Sequence, residues 1–154
     1  MDQIKKFKPL TTDEVLADAY GIYNKDKIKI VNNILSKVNE NKREKAKTLI
    51  DDWSQFRFLH SDIYDLEHCF AVAKKIEYLE FNSKEEAETY FYKQNEIINL
   101  FLIISKDSEE ITMKECSDIL QSVSAKQSED GDSLWDAFYI KDAGFLRMLV
   151  QFAG

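Results

Sequence analysis

Glycine and proline are nearly missing from this chain. Its 154 residues include 4 Gly and 1 Pro, and between Pro9 and Gly131 the only one of either kind is Gly21. Tight turns favour Gly, Pro and Asn, so the scarcity argues for helices joined by short polar loops and against a sheet-rich fold. So few glycines also leave no Gly-rich phosphate loop and no Gly-x-Ser-x-Gly elbow. Cysteine is scarce too. Cys69 and Cys116 are far apart and form no Cys-x-x-Cys pair, which reads as two buried thiols in a reducing cytosol. The opening residues, Met1 to Lys8, lack the apolar run of a secretion signal. No apolar run reaches the length of about 20 residues that a bilayer demands. The expected location is cytoplasmic, with no membrane contact.

What the chain does have is a hydrophobic fraction of 44%, enough for the core of a single domain over 1–154. It also has an uneven charge. The first 50 residues carry 11 basic and 7 acidic side chains, a balance of +4, and the remainder carries 10 basic and 21 acidic, a balance of −11. An acidic bulk disfavours nucleic acid and anionic membrane and suits a basic protein partner. The basic run Lys25 to Lys47 has no interleaved aromatic or Gly-rich element, so it reads as a solvated helical face and not as a nucleic-acid patch.

The most informative stretch is Asn82 to Ser105. Ser83 and Glu86 have the spacing of a capping box, and Ile97-Ile98-Asn99-Leu100-Phe101-Leu102-Ile103-Ile104 is the most apolar segment of the chain. A helix apolar all round is surrounded by other elements, so the expected fold is mainly α, a single-domain helical bundle around a buried central helix at 84–104. A continuous apolar run does not declare its period, and half of 97–104 is Ile, which favours strands. The alternative is therefore α+β, with short strands at 76–81 and 97–104.

Around that centre, residues 1–10 read as an arm and Thr11/Glu14 as a capping box opening a helix through Tyr23. Ile28, Val31, Leu35 and Val38 mark a second helix. Leu49, Trp53, Phe56, Leu59, Ile63, Leu66, Phe70 and Ala73 form a helical seam of about seven turns. Beyond the run, Asp107/Glu110 or Thr112/Glu115 caps a helix whose inner face is Cys116, Ile119, Leu120 and Val123. Residues 124–133 are expected to be a mobile acidic loop. Leu134 to Tyr139 is expected to be a short helix, and Phe145 to Phe152 a last apolar face.

Chemistry is thinly represented. His60, Tyr64 and His68 lie roughly on one helical face, and His60, Asp65 and His68 define the alternative of a metal- or base-assisted enzyme. The histidines are eight apart, not four, and these are the only two in the chain. Neither Lys106–Glu115 nor Asp130-Gly131-Asp132 meets the ligand pattern of a calcium loop. The preferred reading is a non-enzymatic, cofactor-free acidic protein of inhibitor, immunity or antitoxin type. It would cover a basic surface on a partner such as a nucleic-acid-acting enzyme. Its candidate contact residues are Glu85, Glu86, Glu88, Glu129, Asp130, Asp132, Trp135, Asp136 and Tyr139, aromatic and acidic side chains of the kind that make protein interfaces. A self-associating or adaptor subunit using the seam at 49–73 is the third alternative.

Overall fold

The apolar run that begins at Ile97 is a strand, not a helix. The computed structural model describes residues 21–56, 63–94, 96–106, 112–139 and 145–153. Ten residues of the run, Ile97–Lys106, form β2. β2 pairs with β3, Ser133–Tyr139, in parallel and with β4, Leu146–Phe152, antiparallel. β1, Glu77–Phe81, lies antiparallel on the far side of β4, so the order is β1-β4-β2-β3.

Helices cover both faces of the sheet. On one side lie α1 (Gly21–Ser36), α2 (Arg43–Phe56) and α3 (Ile63–Cys69), with a 3-10 turn at Glu40–Lys42 capped by Asn39, whose side chain accepts from the Asn41 amide. On the other lie α4 (Lys84–Tyr92), which leads from β1 to β2, and α5 (Met113–Ser124), which leads from β2 to β3.

The two cores follow from strand alternation. Phe101 and Ile103 join Ile34, Leu49, Trp53, Leu66, Phe70 and Leu149 on the first side. Leu100, Leu102 and Ile104 join Ala87, Phe91, Cys116, Ile119, Val123 and Met148 on the second. A strand covered on both faces has no polar side to show, which is why it reads as an unbroken apolar run. Trp53 meets Phe101 edge-on at 5.2 Å, a geometry that contributes about 0.5–1.5 kcal/mol beyond area burial.

The all-helical bundle around a buried helix at 84–104 is thus corrected to a mixed α/β architecture. The central segment divides into α4 and β2, and β1 and β2 fall on the stretches singled out in the α+β alternative. The helix expected at Leu134–Tyr139 is β3, and the face expected at 145–152 is mostly β4. The seam at 49–73 is split between α2 and α3, with Leu59 outside the described residues. The arm at 1–10 and the helix expected from Thr11 also lie outside them, apart from the latter's last residues, which belong to α1.

Residues 124–133 are tied to the start of β2. The Ser128 amide donates to the Ile97 carbonyl at 2.7 Å. Gln127 Nε2 donates to the carbonyls of Ile98 and Asp132. Gly131 passes so close that a Cβ there would stand 1.7 Å from the Ile98 carbonyl oxygen.

Candidate functional site

Three of the four strands, β1, β2 and β3, run the same way, and their C-terminal ends share one edge of the sheet. Immediately after β1 the chain turns at Asn82 and Ser83 into α4. The Ser83 hydroxyl accepts from the Glu86 amide at 3.1 Å, one of the free donors at a helix start. Thr112 does the same for α5, accepting from the Glu115 amide at 3.2 Å. Both caps match Ser/Thr-x-x-Glu spacings in the sequence, and for α5 the structure selects Thr112.

Between these helix starts lies a cleft of about 310 Å³. Ile119 and Phe145 give it an apolar lining, and Glu85, Glu115 and Asp118 give it three carboxylates. Helix N-termini attract anions, but here the first turns already carry Glu85, Glu86 and Glu115. Their charge outweighs the half-charge of each helix end, so the cleft favours a cation. Lys84 is the basic residue in its wall, and it is held toward Glu88 at 3.5 Å. Glu88 also accepts from the Ser122 hydroxyl at 2.7 Å, which links α4 to α5. That hydrogen bond, with Lys84 beside it, keeps the Glu88 carboxyl below the usual carboxylate range.

The structure divides the expected contact residues. Glu85, Glu86 and Glu88 lie on exposed α4 at the C-terminal edge of the sheet. Glu129, Asp130 and Asp132 are exposed at the opposite edge, where the Asp132 carbonyl accepts from the Leu100 amide. Trp135 is half-buried against the α4–α5 core. Asp136, one residue on, is buried at 1% exposure on the other face and accepts from the Ala137 amide. Tyr139 ends β3. Sequence reasoning missed Glu115, Asp118 and Phe145. Glu115 and Asp118 are three apart in the first turns of α5, a local signal, but only the sheet brings them to Glu85.

Of the metal alternative, His60 lies outside the described residues. Asp65 is exposed, and His68 Nε2 stands 3.5 Å from Asp132 on the surface. Among the described residues no three His, Cys, Asp or Glu side chains come together as a metal-binding group. Cys69 is buried, its thiol directed at the Leu100 carbonyl, and burial pushes its pKa up to about 12.

The architecture has counterparts among solved structures. An FtsZ dimer and an FtsZ mutant from M. jannaschii match with TM-scores of 0.49 and 0.50 at 14% and 12% identity. CetZ from Methanosaeta thermophila matches with 0.50 at 10%. The matches cover 73%, 75% and 71% of this chain but 38%, 41% and 35% of those chains, so the likeness is to a part of each and concerns the fold. No protein-family model and no curated protein matches the sequence. The all-α class is overturned by the sheet, whereas these likenesses of fold do not bear on the inhibitor or immunity type expected from charge. Among the described residues no helix is long and apolar enough to cross a membrane.

Proposed function

We propose that this domain is a non-enzymatic protein-binding module whose α4–α5 cleft receives a basic side chain of a partner protein. The observation that carries the reading is the cleft itself: three carboxylates above an apolar lining of Ile119 and Phe145. An arginine or lysine has the same two-part chemistry, an aliphatic stem that covers apolar surface and a cationic head that stays near water. The acidic balance after residue 50 adds long-range attraction for such a partner.

The two acidic ends of the sheet make the proposal testable. A host partner is captured on the immobilised domain, identified, and its association measured against salt. Glu85→Lys combined with Asp118→Lys is expected to slow association at least tenfold and flatten its salt dependence. Glu129→Lys combined with Asp130→Lys, at the far edge, is expected to change it little. Equal effects from both pairs, or none from either, would refute the cleft assignment.

A further inference from the structure

β1 lies at the end of the sheet order, so only its β4 side is paired. One hydrogen bond shows which backbone groups face the other side. Just before β1, the Ile76 amide donates to the Lys37 carbonyl at 3.0 Å, and Val38 and Ile76 form an isolated parallel bridge. Backbone groups alternate in direction along a strand, so Tyr78 and Glu80 turn their N–H and C=O the same way as Ile76, away from β4. Neither has a backbone partner on that side among the described residues. After Val38 the chain leaves this line, and Asn39 caps the 3-10 turn, its side chain accepting from the Asn41 amide at 3.0 Å. Where the two segments part lies an open groove of about 260 Å³, with Asn39, Asn41 and Lys42 on one wall and Lys75, Ile76 and Tyr78 on the other. The bridge at Val38 thus fills the first position of a row whose continuation along β1 is open.

An open strand edge is a template for an extended segment, which gains main-chain hydrogen bonds there. Charge selects the segment. Glu77 and Glu80 carry the negative charge of β1, and each is met by a lysine, Lys75 at 3.6 Å and Lys45 at 3.1 Å. Glu80 also accepts from the Tyr78 hydroxyl at 2.9 Å. Lys42, exposed in the groove wall, makes no ion pair among the described residues. Arg43 beside it donates to the carbonyls of Val38 and Ser36. The groove therefore has a cation to spare, unlike the carboxylate-lined cleft at α4–α5. Its two sides also differ: Lys42 and Lys45 stand on the α2 side, while the partly buried Leu79 faces the α4–α5 core. We propose that the free side of β1 binds an extended acidic segment of a partner protein, which joins the sheet as an added strand. Its backbone pairs with Tyr78 and Glu80, its acidic side chains face Lys42, and its alternate, apolar side chains lie beside Leu79.

The test is an NMR titration of the whole chain with two end-blocked peptides, Thr-Val-Glu-Val-Glu-Val-Thr and its counterpart with Lys for Glu. Binding is read at the Tyr78 and Glu80 amides, so attraction of the lysine peptide to the acidic cleft does not count. The acidic peptide is expected to shift both amides saturably and to slow their exchange with solvent. The lysine peptide should bind there at least about tenfold more weakly. Glu80→Pro deletes an outward N–H that the sheet does not use and is expected to abolish binding. Lys42→Glu, on the exposed surface, should weaken the acidic peptide about tenfold, and it decides the matter if Glu80→Pro does not fold. Equal binding of the two peptides, no saturable shift with either, or shifts that survive both substitutions would overturn the site. So would a concentration-dependent shift of the same amides without peptide, which would assign the edge to a second copy of the chain.

Discussion

Replacing Asp52 by alanine removes the acceptor of a guanidinium that has no other among the described residues. The Arg147–Asp52 pair is 2.7 Å apart, with side chains 6% and 23% exposed. Deleting one member of such a pair leaves the other charge buried and uncompensated, at a cost of about 3–5 kcal/mol. Asp52 is partly solvated, which lowers its own desolvation penalty but does nothing for Arg147, so the lower end, about 3 kcal/mol, applies. That is a large share of a domain's typical stability of about 5–15 kcal/mol. With a urea slope of about 2 kcal/mol/M, the unfolding midpoint should fall by about 1.5 M while the slope stays constant. The double variant Asp52→Leu with Arg147→Met should recover most of that loss, because replacing both charges by apolar groups removes the desolvation problem altogether. A loss below about 1 kcal/mol in Asp52→Ala, the scale of a surface pair, would refute the burial argument. So would a double variant no more stable than the single one.

Other consequences are open to the same kind of measurement. Gly131→Ala places a Cβ 1.7 Å from the Ile98 carbonyl oxygen, and a backbone atom has no rotamer by which to yield. The expected cost is about 1–3 kcal/mol or more, and an unchanged urea midpoint would contradict the close approach. Ser83→Ala removes the acceptor for the Glu86 amide and should lower stability by about 1 kcal/mol. Both cysteines are free and buried, with burial raising the Cys69 thiol to about 12 and the Cys116 thiol above its usual value. The folded state therefore favours the neutral Cys69 thiol. Its contribution is whole below pH 9.0, the unfolded value, and is lost as pH rises from there toward about 12. A thiol reagent at pH 8 should label both residues slowly in the folded protein and rapidly in denaturant; fast native labelling of Cys69 would count against its burial.

The sequence by itself determined what depends on neighbours a few residues apart. The Ser83 and Thr112 caps were legible because a cap is closed within three residues. Leu49, Trp53, Leu66 and Phe70 were legible as core because a helix repeats its inner face every three or four positions. Even so, the inner face of α1 was legible only in part, Val31 being buried as expected and Leu35 partly so. Ile30 and Ile34 are buried where Ile28 is 53% exposed, since several apolar stripes coexist on that helix and only its neighbours select one. Tertiary structure decided the rest. In Ile97–Ile104 the isoleucines lean toward a strand, but a continuous apolar run hides its period; β3 and β4, paired with it from 33 to 55 residues away, satisfy its backbone groups and fix the period at two. The same sheet brings Glu115, Asp118 and Phe145 to Glu85, and it encloses Arg147 beside Asp52. Helix caps are properties of a short peptide, whereas a cleft or a buried charge exists only once distant segments have excluded water from between them.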